Sequence, residues 1–191
     1  MWRVLTPGLI VVGAGAGFLI GRTTADQLTS DGATPPATAF TEADQAAIDA
    51  LLQDGLSLHL AGDLDAAAAT YQQVLSVAPT NKYALFNLGL IAHTNEDYET
   101  AVTDYEAALA VDAAYAPARF NLGIVFAAQK RWTKAQEAFQ AVLDAEPENA
   151  AAMYQLGMAR VAQGDSVGGQ QLIDRAAELD PSVTASSDST G

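Results

Sequence analysis

Between residues 48 and 183 the apolar positions recur every 34 residues, and each period holds two stretches of helical spacing. Gly55, Gly89, Gly123 and Gly157 mark the period. Leu51, Leu85, Arg119 and Met153 stand four residues before these glycines, and Leu88, Leu122 and Leu156 stand one before. Ala67, Ala101, Ala135 and Gly169 follow at twelve, Tyr71, Tyr105, Phe139 and Ile173 at sixteen, and Val74, Ala108, Val142 and Ala176 at nineteen. Pro79, Ala113, Pro147 and Pro181 come at twenty-four. This register predicts four helical hairpins, at 48–81, 82–115, 116–149 and 150–183.

Each hairpin breaks in the middle, at Gly62-Asp63, Glu96-Asp97, Lys130-Arg131 and Gly164-Asp165. Asp63, Asp97 and Asp165 stand where a carboxylate accepts from the unpaired N–H groups of a second helix, and Asn81 and Asn149 can cap the first helix that follows. Glycine on the first helix and alanine on the second let the pair approach closely, with the aromatic residue expected in the wider gap between them. The proline ends the second helix. Thr41 and Asp44 form a capping pair that extends the first helix, so the folded region is expected to run from 41 to 183 as eight helices.

The pattern resembles the tetratricopeptide repeat family, on the first-helix motifs FNLG at 86–89 and 120–123 and YQLG at 154–157, followed by alanine, an aromatic and a closing proline. Asp54 replaces the usual leucine in the first copy, and Gly168 and Gly169 weaken the last helix, whose end is expected to fray. The resemblance implies an all-α, right-handed superhelical solenoid whose concave groove is lined by the first helix of each hairpin. Carried over by position, the groove presents Leu52, Gln53, Leu56 and His59, then Tyr83, Phe86, Asn87, Leu90 and His93. Phe120, Asn121 and Ile124 follow from the third copy, with Tyr154, Gln155 and Met158 from the fourth. It implies a scaffold that binds a peptide or helical segment of a partner protein, with Asn87 and Asn121 pairing to donor and acceptor of an extended backbone. The Lys and Arg clamp that some members use for a partner's C-terminal carboxylates is missing. The alternative is a self-assembling structural scaffold of the cell envelope that stacks through its open ends.

Ahead of the repeats, residues 4–21 carry no charge and lie between Arg3 and Arg22. As a helix they would span roughly 27 Å at about 1.5 Å per residue, enough for a bilayer core, so residues 1–22 read as a single transmembrane helix, with a cleaved signal peptide as competitor. Charge on the two flanks is nearly tied, and the free amino group places the repeats outside the cytoplasm, in the periplasm or cell envelope. Gly13, Gly17 and Gly21 share one helix face and permit a homo-oligomer in lipid. The stretch does not satisfy G-x-G-x-x-G, because Phe18 takes the place of the third glycine. Residues 23–40, rich in Thr, Ala, Ser, Gly and Pro, read as a flexible linker, and 184–191 as a disordered tail.

Charge and composition narrow the function. A formal net charge of −14 disfavours nucleic acid as a partner. The chain has no cysteine, which removes thiolate chemistry, and only two histidines, His59 and His93, which occupy equivalent positions in neighbouring hairpins without a third ligand in sight. No metal site and no cofactor are expected. Lys130, Arg131 and Lys134 form a basic cluster that reads as a solvated face. No serine, threonine or carboxylate stands in a nucleophile or acid–base setting, so no enzyme is expected.

Overall fold

The structure, a computed structural model, describes residues 41–185. The proposed transmembrane segment 4–21 with Gly13, Gly17 and Gly21, the linker 23–40 and residues 186–191 lie outside the described residues. Among the described residues no helix is long and apolar enough to cross a membrane.

Nine α-helices and no strand occur among the described residues. The four hairpins are α1 (Glu42–Leu60) with α2 (Leu64–Val77), α3 (Lys82–Thr94) with α4 (Tyr98–Val111), α5 (Ala116–Ala128) with α6 (Trp132–Ala145), and α7 (Ala150–Gln163) with α8 (Ser166–Leu179). A ninth, four-residue helix, α9 (Ser182–Ala185), was not expected from the sequence. It includes residues 184 and 185, assigned above to a disordered tail, and Val183 packs against the core.

Local chemistry sets the boundaries. Thr41 and Asp44 form a reciprocal capping box on α1: the Thr41 hydroxyl accepts from the Asp44 N–H at 3.2 Å, and the Thr41 N–H donates to the Asp44 carboxylate at 2.8 Å. The Thr41 N–H and then the Thr41 hydroxyl, both donating to the carboxylate, hold the Asp44 carboxyl below its ordinary pKa. Asp63, Asp97 and Asp165 accept from the N–H groups of Ala66, Thr100 and Gly168, capping α2, α4 and α8 as expected. Asn81 and Asn149 cap α3 and α7. Arg131, at the same place before α6, makes no side-chain cap bond.

All four hairpin turns share one backbone form. Gly62, Glu96, Lys130 and Gly164 have φ of 83°, 59°, 58° and 104°. The next N–H in each turn, that of Asp63, Asp97, Arg131 and Asp165, reaches back to the carbonyls of Leu58, Ala92, Phe126 and Arg160, as in a Schellman motif. The joint between hairpins repeats as well: Asn81, Tyr115 and Asn149 donate backbone N–H to the carbonyls of Ala78, Asp112 and Glu146. Val183 does the same to Asp180, and α9 overlaps the place where a further first helix would start.

Packing within a hairpin departs from expectation at the aromatic position. The ring does not occupy a gap beyond the glycine; it lies directly on it. A Cβ added to Gly55, Gly89 or Gly123 would come within 2.7 Å of Tyr71, 2.7 Å of Tyr105 or 2.6 Å of Phe139. These rings and Ala67, Ala101 and Ala135 are fully buried. In the fourth hairpin Ile173 replaces the ring and Gly169 replaces the alanine, and the helices close backbone to backbone. A Cβ on Gly169 would meet the Gly157 carbonyl oxygen at 2.6 Å. Gly169 thus has a packing reason that the expectation of a fraying helix did not include.

The core falls into two clusters. One joins Ile48, Ala67, Tyr71, Val74, Ala84 and Ile91, and the larger runs from Ala92 to Ala176. Asp54 is exposed at the position where Leu122 and Leu156 are buried, since no hairpin precedes it to be packed against among the described residues. Consecutive first helices α1, α3, α5 and α7 touch one another, whereas α2, α4, α6 and α8 do not. Closer spacing on the first-helix side bends the stack, so the first helices line its inner face.

Candidate functional site

The inner face is where the sequence analysis placed a binding groove. On α1, Gln53 and Leu56 are exposed while Leu52 and His59 are half-buried. On α3, Tyr83 is exposed and Phe86, Asn87, Leu90 and His93 are half-buried. Phe120, Asn121 and Ile124 on α5 are half-buried; on α7, Tyr154 and Gln155 are half-buried and Met158 is exposed. Five of the eight exposed large apolar side chains among the described residues stand on first helices: Leu56, Leu60, Tyr83, Met158 and Val161.

The helices restrict what these side chains can do. The Asn87 amide nitrogen donates to the Tyr83 carbonyl at 2.8 Å and that of Asn121 to the Pro117 carbonyl at 2.9 Å, each one turn back on its own helix. Because a carbonyl can only accept, the nitrogen end must face it; one N–H is used there, and the carboxamide oxygen and the second N–H remain for a partner. The aromatic residues also divide their faces. Phe86 packs against Tyr105 and Tyr115, with ring centroids 5.9 and 5.4 Å apart, and Phe120 against Phe139 at 5.6 Å.

Sequence reasoning missed a cluster at the α3–α5 joint. The Lys82 ammonium pairs with the Asp112 carboxylate at 2.5 Å and lies 5.2 and 5.1 Å from the ring centroids of Tyr83 and Tyr115. The two rings meet edge to face at 5.9 Å. The hydrogen bond to Asp112 raises the Lys82 pKa, and its counterpart lowers that of Asp112. The pair ties the start of α3 to the end of α4 within the second hairpin and holds the ammonium beside Tyr83. Its members are 30 residues apart and not in equivalent positions, so the repeat gave no sign of it.

The His93 ring lies 6.1 Å from that of Tyr98, and His59 Nδ1 is buried without a hydrogen-bond partner. Among the described residues no three His, Cys, Asp or Glu side chains gather as metal ligands. Arg131 and Lys134 lie over the Phe126 ring at 4.5 and 5.4 Å. The groove deepens between α5 and α7, where a hollow of about 290 Å³ is lined by Pro117, Phe120, Asn121, Val142, Glu146 and Asn149, together with two alanines.

Known proteins fit this architecture. The chain matches no curated protein by sequence. Among solved structures it is similar to MamA, at 21% identity over 78% of this chain and 81% of that one, with a TM-score of 0.65. It is also similar to pilF of Pseudomonas aeruginosa, at 24% identity over 73% and 65%, with a TM-score of 0.67. An O-GlcNAc transferase of Thermobaculum terrenum is 31% identical over 63% of this chain but only 23% of its own, with a TM-score of 0.59. The tetratricopeptide repeat profile matches residues 52–117, 94–135 and 120–183. With the glycine-on-ring packing and the matched turns, these spans establish that the chain belongs to the tetratricopeptide repeat family.

Proposed function

We propose that the protein is a non-enzymatic interaction scaffold that takes a peptide or helical segment of a partner protein along the inner face of α1, α3, α5 and α7. The observation that carries this reading is the half-exposed apolar row in that groove: Leu56 is 48% exposed, Tyr83 50% and Met158 44%. Interleaved carboxamide oxygens of Asn87 and Asn121 supply acceptors for donors of the bound segment. Residues 4–21 tether the scaffold to a membrane, with the repeats outside the cytoplasm; the uncharged run between Arg3 and Arg22 supports this.

A photo-crosslinking residue placed at Tyr83 or Met158 in cells should capture a partner protein that the same residue at Gln73 or Glu106, exposed on second helices, does not. Equal capture from both sets of positions would remove the groove from consideration. For the tether, protease added to spheroplasts should digest the repeats; complete protection would reverse the orientation, and release into the soluble fraction would favour a cleaved signal. Self-assembly through open ends is the weaker reading, because α9 packs on α7 and α8 and covers part of one end.

A further inference from the structure

The hollow between α5 and α7 has a chemical preference that the rest of the groove lacks. Its walls are apolar, from Pro117, Phe120 and Val142. Its polar atoms are sorted by hydrogen bonding. One N–H of Asn121 donates to the Pro117 carbonyl at 2.9 Å, and one of Asn149 to a Glu146 carboxylate oxygen at 2.8 Å. The Asn149 oxygen caps α7 through the Ala152 N–H. The Asn121 oxygen and the Glu146 carboxylate are left as acceptors beside one unused N–H on each amide, and Glu146, the charged side chain of the hollow, has no ion-pair partner among the described residues. No cationic side chain lines the hollow, and Glu148 stands beside Glu146 along an adjoining depression. At about 290 Å³ the volume lies near the lower edge of ligand pockets and suits one long side chain.

We propose that this hollow receives a lysine or arginine side chain of the bound segment. Its methylenes lie along Phe120, Pro117 and Val142, and its charged end meets Glu146 and the Asn121 oxygen. This rests on the groove reading above and adds a specificity to it: the partner segment is apolar with a basic residue at one fixed place. The partner's cation complements a chain with a formal net charge of −14.

The test titrates the ¹⁵N-labelled full chain with the N-acetyl amides of lysine, arginine, norleucine and glutamate, following the side-chain amide signals of Asn121 and Asn149. The two cationic compounds should shift those signals saturably, with norleucine at least tenfold weaker and glutamate inactive. Glu146→Gln should weaken the cationic compounds about fivefold or more with unchanged circular dichroism, because glutamine keeps an oxygen for Asn149. Norleucine binding as well as lysine, or Glu146→Gln binding the cations like the parent, would overturn the assignment. The titration needs no partner protein. A groove that crosslinks a partner but shows no cation preference defeats this inference alone, while loss of position-specific crosslinking defeats the groove reading alone.

Discussion

A single hydroxyl separates Tyr71 and Tyr105 from Phe139, although all three rings lie on a glycine of the preceding helix and are fully buried. Both tyrosine oxygens are buried without a hydrogen-bond partner. Removing such a group relieves a desolvation cost, so Tyr105→Phe should stabilise the fold by about 1 kcal/mol in urea unfolding. A loss of stability would mean that the hydroxyl has a partner. Asp104, next in the chain, is half-buried near Asp97, and burial first, then that neighbouring charge, raises its pKa to about 6. The folded state therefore holds this proton more tightly than the unfolded one. Stability from this group is highest at low pH and declines as pH rises from about 4 to about 6. Asp104→Asn should stabilise the fold in urea unfolding at pH 7.5, by about 1 kcal/mol after allowance for solvent screening, but hardly at pH 4. At this scale the sequence revealed the small residues and the rings, because they recur every 34 residues. It did not reveal that Asn87 and Asn121 each spend one amide N–H on a carbonyl one turn back, since that depends on the rotamer.

The hairpin turn shows how one backbone form tolerates different residues. Gly62 and Gly164 adopt the left-handed conformation without a Cβ, whereas Glu96 and Lys130 adopt it with one, at a cost of about 1 kcal/mol each. Glu96→Gly or Lys130→Gly should recover part of that, about 0.5 kcal/mol, in thermal unfolding. The third turn is the poorest of the four because Arg131 also stands where the others have a capping aspartate. Arg131→Asp should add a cap worth about 1 kcal/mol and lose about 0.5 kcal/mol of cation–π contact with Phe126. A net gain is expected, and a net loss would show that the Arg131 contact outweighs the cap. The breaks and the aspartate caps were legible from residue type. The left-handed backbone at Glu96 and Lys130 was not, because neither residue advertises it. The extra helix α9 escaped notice because Ser182 and Thr184 are poor helix formers, and Val183 is held by tertiary packing.

Across the stack of described residues, each hairpin is supported by its neighbours; the first has a hairpin on one side only, and the last has α9 in place of a further hairpin. Hydrogen exchange should therefore be fastest in α1 and α8, and slowest in α4 to α6, which lie within the larger core cluster. Uniform protection would show that the repeats unfold as one unit. The solenoid itself was legible because a 34-residue period leaves few other ways to bury two apolar faces. The candidate site was legible only where it repeats. The hollow at Glu146 and the clip from Lys82 to Asp112 join unlike positions of the repeat, and an argument from equivalent positions passes over both. The joint that links hairpins recurs after α8, where Val183 reaches back to Asp180 as Asn149 does to Glu146. A cutter and a splice suffice to use it: a copy of residues 116–149 inserted after Val183 inherits the bond that orients it. The groove then lengthens by one fixed increment, and the molecule becomes a ruler whose graduations are set at its joints.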